Sequence, residues 1–537
     1  MERILSLIFI SMMLSLPLSL RTEAEEYPTL EPVSCTSIMV GRKASADGSV
    51  ITSHTCDGNY RTWVGIVPAV TYDRDTTVNV FRNRLHTESV KGAYGMTLKG
   101  AVFQPAGTTF RFVDTAYPSL NEKQLAMGET TITGRKELVN PDGMMMIEEL
   151  QKIALQRCST ARDAIRLMGE LIKEYGYGDW GECLTVADKN EVWHFEVFGE
   201  GKDRIGGVWA AVRIPDDHVG VSANISRISS IDLSRPDYYM ASDNVYDVAR
   251  EMGLWDGKEP FCFWKAYAGG NYYGEDKSFH LREFFILNKL APSLHLSYDA
   301  RELPISVKPD KPVSAEDVMA LLAETYEGTE YDVTRNLKVA VKDRRTGVTD
   351  TVTSPAANPW MTADTRNMLN ALKPGSVDAN RLVAVPQCSY STVIELHADR
   401  PDAVGGILWI AFDNPGQSPR IPIFCGTTSL PDCFSTCGQY GYDENAVVWK
   451  FRRANKLATV RWGAVRDEVF GAVKHFRDKG AREEEFVLGQ YSRILAEEGE
   501  EAALAFLTGY TADFAGAAIL TWEEMADRFW TRFARGF

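Results

Sequence analysis

The hydrophobic and polar positions after residue 35 predict short strands first. Two β-prone runs, at residues 36–41 and 50–55, flank the polar segment RKASADGS, whose Asp-Gly pair is a turn signal. Together they predict a β-hairpin with Cys35 at its start, and residues 62–70 are a further strand candidate. The hairpin therefore places a cysteine at the head of the first strand.

Helices are predicted next, followed by more strands. Asn140 and Pro141 suit a helix cap and first turn before MMMIEELQKIALQR, and Thr160 with Asp163 resembles a capping box before AIRLMGELIKEYG. Strand patterns return at residues 184–187, 192–198, 208–214, 219–223, 391–397 and 406–412, and the chain after about residue 445 is mostly helical. This order predicts sheets layered with helices, in one large core with helical additions.

The N-terminal segment has the pattern of an export signal. Residues 2–20, ERILSLIFISMMLSLPLSL, place a mostly apolar run after Arg3. We predict a signal peptide over residues 1–20 rather than a membrane anchor, because the run is short for a span and contains serines and Pro17. The acidic residues 21–34 are predicted to be a leader. No later segment is predicted to be long and apolar enough to cross a bilayer. The expected location is secreted or periplasmic, without stable membrane insertion.

Composition narrows the class of partner. The chain has 58 Lys and Arg against 73 Asp and Glu, a net charge of −15, which makes it a poor candidate for binding nucleic acid. Hydrophobic residues make up 45% of the chain, enough for a large core. The nine cysteines and eight histidines include no CxxC pair and no HExxH motif, so we predict no metal site.

Cys35 is the residue whose position suggests chemistry. A cut between Ser34 and Cys35 would give one residue both a thiol and a free α-amine. Their reference pKa values are about 8.5 and about 7.7–8.0, so together they form a nucleophile and its base. Before the cut the amide nitrogen cannot take a proton, so the leader would act as an off switch. On the residues alone, a structural cysteine or the acylated cysteine of a lipoprotein stays open.

Several blocks resemble one peptidase family. The segment CTSIMVGRKASADGS and the following strand, which ends in Asp57, resemble the start of the family C69 dipeptidases. These are cysteine-type N-terminal nucleophile (Ntn) hydrolases, related to cholylglycine hydrolases and penicillin V acylase. Further blocks at residues 120–130, 184–199, 219–228 and 403–424 also resemble the family. Their order along residues 35–435 is more specific than any single block.

The resemblance implies a fold and a domain organisation. The implied class is α+β, an Ntn-hydrolase αββα sandwich of two antiparallel sheets between helical layers, with Cys35 at the start of a central strand. The catalytic domain would cover residues 35–440. A mainly helical C-terminal extension would cover residues 441–537.

The resemblance also implies catalytic roles. Cys35 matches the nucleophile, and Asp57 matches an aspartate that contacts the amine region of the nucleophile and helps to place the substrate. Asn224 matches an asparagine that stabilises the tetrahedral oxyanion, and Asn121 is a second candidate for that role or for binding. On the residues alone, Asp57 could be a turn residue, and Asn224 a loop residue or, with Ser226, a glycosylation site.

Three further residues are candidates for substrate binding. His54 stands where the relatives usually have an arginine, so its charge would depend on pH. Trp180 and Glu182 precede a strand and are expected along the substrate groove, although an aromatic residue there also suits packing.

The implied activity is hydrolysis of dipeptides or very short peptides through a thioester, with no metal or organic cofactor. Two alternatives stay open. One is an N-acyl amidase of the same fold, which would act on conjugated bile acids or acylated amino acids. The other is a non-catalytic secreted binding protein in which Cys35 is never exposed, for example because it pairs with Cys56. A homo-oligomer is also left open.

Overall fold

The computed structural model describes residues 34–58, 60–85, 96–268, 277–300, 302–439 and 441–534. The described residues from Ser34 onward belong to one compact unit. The predicted signal peptide and all of the predicted leader except Ser34 lie outside the described residues.

The structure has short strands, numbered here in chain order, between residues 37 and 424. They are β1 Ser37–Val40, β2 Val50–Asp57, β3 Gly65–Val67, β4 Thr71–Tyr72, β5 Thr76–Arg82, β6 Thr97–Gln104, β7 Gly107–Thr108, β8 Phe112–Asp114, β9 Leu120–Asn121, β10 Ala126–Thr131, β11 Glu182–Ala187, β12 Val192–Phe198, β13 Val208–Ile214, β14 Val219–Ser222, β15 Tyr239–Ala241, β16 Ser306–Val307, β17 Lys338–Lys342, β18 Thr349–Thr353, β19 Cys388–Leu396, β20 Gly406–Phe412 and β21 Ile421–Phe424.

The helices lie between these strands and after them. They are α1 Ile147–Arg157, α2 Ala161–Tyr175, α3 Asp247–Glu251, α4 Phe263–Tyr267, α5 Lys277–Leu290, α6 Ala315–Leu322, α7 Ala363–Leu372, α8 Asp402–Gly405, α9 Val447–Val460, α10 Trp462–Glu497 and α11 Glu500–Arg532. Short 3-10 helices occupy Lys136–Leu138, Pro292–Leu294 and Asp432–Ser435.

Most of the strands form two large antiparallel sheets. The first sheet has seven strands in the order β16-β14-β1-β2-β19-β20-β21, and the second has eight in the order β15-β13-β12-β11-β10-β9-β8-β3. The remaining strands form the two-stranded ribbons β4–β7, β5–β6 and β17–β18. The hairpin β1–β2 therefore lies in the interior of the first sheet, with β14 on one side and β19 on the other.

The two sheets contact each other, and helices contact both of them. The hydroxyls of Thr52 on β2 and Thr185 on β11 lie 2.6 Å apart, and those of Thr130 on β10 and Ser222 on β14 lie 2.5 Å apart. Helices α1 and α2 contact the second sheet, whereas α5 and α6 contact the first. Because both faces are covered, β2, β12 and β19 are buried along their whole length. The predicted α+β class with antiparallel sheets is confirmed.

Local signals predicted the hairpin correctly and one helix start incorrectly. Gly48 adopts a φ of 83° in the turn between β1 and β2, a conformation that costs glycine little. The side chain of Thr160 caps α2 as expected, by accepting from the backbone of Asp163. The expectation that a helix starts at Asn140 and Pro141 was wrong, since α1 starts only at Ile147. Pro141 and Asp142 form a turn instead, and the backbone of Met144 and Met145 then donates to Tyr175 and Gly176.

The C-terminal helices pack on the first sheet and on one another. The indole ring of Trp522 on α11 is fully buried against Phe451 on α9 and Phe476 on α10. The hydroxyl of Thr511 donates to the carbonyl of Pro422, so α11 covers the edge strand β21. The prediction that the chain after about residue 445 is mostly helical is confirmed.

One expectation about the C-terminal region was wrong. Within the part of the chain that the structure describes, α11 has the length and apolar composition that a membrane span requires. About a third of its most apolar window, 33%, is buried inside the protein. The sequence pattern had suggested no such segment after the N-terminal one.

Candidate active site

Cys35 lies in the interior of the protein, immediately before β1. Its solvent exposure is 0%. Its backbone N–H donates to Oδ1 of Asn224 at 2.8 Å, and its carbonyl oxygen accepts from Nη1 of Arg282 at 2.6 Å. Thr36, the next residue, forms a bridge with Thr55 of the neighbouring strand β2. The backbone around the thiol is therefore held on both sides.

Asn224 reaches Cys35 from the end of β14. Its backbone is left-handed, with a φ of 66°, a conformation that asparagine tolerates better than most residues. Its Oδ1 accepts from Cys35 and from Nη2 of Arg282, while its Nδ2 donates to the carbonyl of Thr131 at 2.7 Å. In this arrangement the amide presents its oxygen to the nitrogen of Cys35. One of its two N–H bonds is already used by Thr131.

Arg282, which the sequence analysis did not single out, links the two strands that form the site. It lies on α5, and its guanidinium donates to the carbonyls of Cys35 and Ala223. Burial, together with the nearby charge of Arg381, lowers the pKa of this guanidinium to about 9. Its sequence context, HLREFF, contains only an arginine within an amphipathic helix pattern, so the sequence had no signal for this role.

Asp57 ends β2 close to Cys35. Its Oδ2 accepts from the hydroxyl of Thr55 at 3.0 Å and from Nη2 of Arg381 at 2.9 Å. Its other carboxylate oxygen, Oδ1, is buried and has no hydrogen-bond partner among the described residues. Arg381 also donates to the carbonyl oxygen of Ser34 at 3.2 Å. Its guanidinium therefore connects the peptide group that precedes Cys35 with the carboxylate of Asp57. Arg381 is a second arginine that sequence reasoning missed.

Two buried carboxyl groups, on Glu129 and Glu182, lie on neighbouring strands at this site. Their exposures are 0% and 4%. Burial raises the pKa of both groups, and the negative charge of Glu129 raises that of Glu182 further. A carboxylate oxygen of Glu129 lies within 4.8 Å of the Cys35 thiol. Glu129 lies in the block at residues 120–130, so the sequence held a signal for it, although no role was predicted.

The Cys35 thiol is a weak acid in this environment. Burial raises its pKa well above the ordinary value, and the negative charges of Glu129 and Asp57 raise it further. A hydrogen bond from the backbone of Asp57 acts in the opposite direction. Cys35 and Cys56 both have free thiols, so the structure does not pair them.

His54 is neutral at this site over most of the pH range. Burial lowers the pKa of its imidazole to about 4, partly offset by the hydrogen bond with Glu129. Its Nδ1 lies 2.6 Å from the carbonyl oxygen of Glu129 and 3.3 Å from the backbone nitrogen of the same residue. Its Nε2 is buried, and no described residue forms a hydrogen bond with it. Cys35, His54 and Glu129 each have one side-chain atom that could bind a metal ion, and these three atoms lie within 4.8 Å of one another.

The Asn121 side chain is bound by a different part of the chain. Asn121 donates through Nδ2 to the carbonyls of Leu155 and Cys158, and its Oδ1 accepts from the backbone of Lys123 and Leu125. Both ends of this amide hold a turn against α1, so its geometry argues against the expected oxyanion role. The ring of Trp180 is 47% exposed, two residues before Glu182.

Sequence comparisons identify the relatives of this chain. The model of peptidase family C69 matches residues 34–475. A protein of Latilactobacillus sakei named as a probable dipeptidase is 24% identical over 414 residues, covering 75% of this chain and 77% of the relative. A probable dipeptidase B of Lactococcus lactis is 25% identical over 438 residues, covering 78% and 79%. Dipeptidase A of Lactobacillus helveticus is 19% identical over 460 residues, covering 83% and 85%.

The family match covers most of the chain and includes every strand of the two large sheets. It also includes Cys35 and each of the residues described around it. The chain therefore belongs to peptidase family C69, a family of peptide-bond hydrolases.

Proposed function

We propose that this protein is a cysteine-nucleophile dipeptidase in which Cys35 becomes the N-terminal residue. The observation that carries this proposal is the hydrogen bond from the Cys35 nitrogen to Asn224 Oδ1 at 2.8 Å. A free α-amine at this position would keep an acceptor that stabilises its ammonium form. The names of the relatives support dipeptides as the substrates.

The proposed fold is the Ntn-hydrolase αββα sandwich. Two contacting antiparallel sheets, with helices against each of them, support this assignment. The position of Cys35 directly before an interior strand of the first sheet supports it as well. We also propose export through the N-terminal signal, a small peptide as the partner, and no nucleic-acid ligand.

The proposed reaction begins when the α-amine of Cys35 takes the proton from Sγ. The thiolate attacks the carbonyl carbon of the substrate, and the carbonyl oxygen becomes an oxyanion. As the carbon–nitrogen bond breaks, the ammonium gives its proton to the leaving amine. Water then adds to the thioester, the carbon–sulfur bond breaks, and Sγ regains a proton. No step uses a metal or an organic cofactor.

Maturation would change the acidity of the nucleophile. In the uncut chain the thiol lies among buried acidic groups, which raise its pKa. Cleavage before Cys35 creates an ammonium on the same residue, and a nearby positive charge lowers the pKa of a thiol. The leader would therefore keep the enzyme inactive by withholding both the base and the charge.

The test combines N-terminal sequencing of the secreted protein with an activity panel. We expect the active wild type to begin at Cys35 and to cleave dipeptides rather than bile-acid conjugates or N-acyl amino acids. Cys35→Ala should be inactive, whereas Cys56→Ala, which removes an equally buried thiol, should retain activity. An uncut Cys35→Ala chain would indicate self-processing, and a cut but inactive one would indicate an external protease.

Three results would contradict the proposal. An active wild type that keeps its leader would exclude the α-amine of Cys35 as the base. Cleavage of acyl amides alone would favour the N-acyl amidase. An inactive protein with an unreactive Cys35 thiol would favour the non-catalytic binding protein.

A further inference from the structure

Ser34, the residue before the nucleophile, is enclosed in a small polar subsite. It is only 2% exposed. Its backbone N–H donates to the carbonyl oxygen of Asp57 at 3.3 Å. Its hydroxyl oxygen accepts from Nε of Arg381 at 3.0 Å and from Nη2 at 2.5 Å. The nitrogen, the carbonyl and the side chain of Ser34 are thus all bound, which is more than a peptide linker requires.

Arg381 is held so that it faces Ser34. It lies between α7 and β19, and its side chain is 15% exposed. Its own carbonyl oxygen accepts from the hydroxyl of Tyr326, which is fully buried. The ion pair with Asp57 fixes the guanidinium from the other side. Arg381 therefore presents one guanidinium to both Ser34 and Asp57.

Cleavage of the peptide bond between Ser34 and Cys35 by the Cys35 thiol would place Ser34 where the acyl group of a substrate lies. If Sγ of Cys35 attacks the carbonyl carbon of Ser34, a carbon–sulfur bond forms, the carbon–nitrogen bond breaks, and the thiol proton passes to the released amine. The product is a thioester of Ser34 on Cys35. An acyl-enzyme formed from a dipeptide is the same kind of thioester, with the N-terminal residue of the substrate in place of Ser34. Both acyl groups are bonded to the same sulfur atom and face the same surroundings.

From this geometry, and resting on the proposed dipeptidase function, we infer that Ser34 marks the subsite for the N-terminal residue of the substrate. Arg381 selects short side chains that carry a hydrogen-bond acceptor, namely Ser, Asn and Asp. The substrate amine takes the place of the Ser34 nitrogen at the carbonyl of Asp57. The buried carboxylate of Asp57 supplies the negative charge that a substrate ammonium requires nearby.

The expected preference is moderate and measurable. A hydrogen bond from a charged donor contributes about 1.5–3 kcal/mol, which corresponds to about a ten- to hundredfold difference in kcat/KM. Ser-Leu, Asn-Leu and Asp-Leu should therefore be cleaved about ten- to hundredfold more efficiently than Ala-Leu. Leu-Leu should be cleaved least, because the enclosed subsite around Ser34 has little room for a branched side chain.

The test measures kcat/KM for these five dipeptides with the mature enzyme and its variants. Arg381→Met keeps the apolar length of the side chain but removes its donors, so the ratio of Ser-Leu to Ala-Leu should fall close to one. Arg400→Met is the matched control, because Arg400 is 18% exposed, is also ion-paired, and has Glu484 as its partner rather than Asp57. This control should keep the wild-type ratio.

Two results would overturn the inference. One is a wild-type enzyme that cleaves Ala-Leu as efficiently as Ser-Leu, and the other is an Arg381→Met enzyme with an unchanged ratio. If Arg381→Met is not cleaved to the mature enzyme, the ratio of Ser-Leu to Ala-Leu cleavage in the wild type and in Arg381→Lys decides the question. The lysine keeps the positive charge but not the planar donor fork. Cleavage of all five dipeptides without preference would leave the dipeptidase function intact, whereas cleavage of none would refute that function itself.

Discussion

The backbone nitrogen of Cys35 donates to Oδ1 of Asn224 across 189 residues of sequence. The register of the first sheet explains this contact. Ser37 on β1 pairs with Ser222 on β14 in an antiparallel ladder, so the residues two positions beyond this pair, Cys35 and Asn224, lie opposite each other. Asn224 then turns its side chain toward Cys35 through its left-handed backbone. The sheet itself therefore positions the group that holds the nitrogen of the proposed nucleophile.

Replacement of Asn224 should lower both the rate and the stability, because its buried amide also bonds to Arg282 and Thr131. Asn224→Gly removes the side chain while allowing the positive φ, so backbone strain does not confound the result. We expect kcat to fall by about 10²–10³, because the variant loses the acceptor for the Cys35 amine and a neutral donor at the site. Steady-state kinetics on a dipeptide, with thermal unfolding as the control for folding, would check this. A variant with wild-type kcat would show that Asn224 has only a structural role.

Loss of Arg282 should destabilise the protein. Arg282→Met leaves the buried carbonyls of Cys35 and Ala223 without their donor. Since each unsatisfied buried group costs about 1–3 kcal/mol, the free energy of unfolding should fall by about 2–6 kcal/mol. Urea denaturation measures this change. Arg42→Met, at an exposed ion pair with Asp216, should change it by less than about 1 kcal/mol. Equal effects of the two substitutions would contradict this account.

The carboxyl pair should make stability depend on pH. Burial raises the pKa of Glu182 well above its ordinary value of 4.5, and Glu129 raises it further. The stability linked to this proton is present below pH 4.5 and is lost as the pH rises toward the folded pKa. Glu182→Gln removes this loss. The melting temperature of the variant minus that of the wild type should therefore rise as the pH is raised from 5 to 8. The exposed Glu485→Gln serves as the control and should show no such trend. A difference that is constant with pH would argue against a buried, protonated Glu182.

His54 should not determine the pH dependence of activity near neutral pH. Its imidazole, with a pKa of about 4, gains a proton only in acid. The profile of kcat/KM between pH 5 and pH 8 should therefore have the same shape in His54→Gln as in the wild type, whatever the change in absolute rate. If an acidic limb near pH 6–6.5 disappears in the variant, then the imidazole titrates near its ordinary pKa and the burial described for His54 is wrong.

Local sequence signals were sufficient for several elements. The Asp-Gly turn between two β-prone runs predicted the hairpin β1–β2, and Thr160 predicted the start of α2. Both depend on neighbouring residues, so they can be recognised without the rest of the chain. Asn140 shows the limit of such signals. Its cap pattern was overruled by a turn at residues 141–142 and by hydrogen bonds from residues 144–145 to the end of α2, which delay the helix until Ile147.

The sequence by itself therefore determined where the thiol, the hairpin and the main helices lie, and the family resemblance determined the class of enzyme. Only the tertiary structure decided which side chains surround Cys35. Glu129, Arg282 and Arg381 come from β10, α5 and the segment before β19, and no local pattern links them. Their burial also sets their charges, since the pKa of a group depends on its desolvation and on neighbours that are distant in sequence. For the same reason, the neutral state of His54 and the enclosure of Ser34 became visible only after the sheets were assembled.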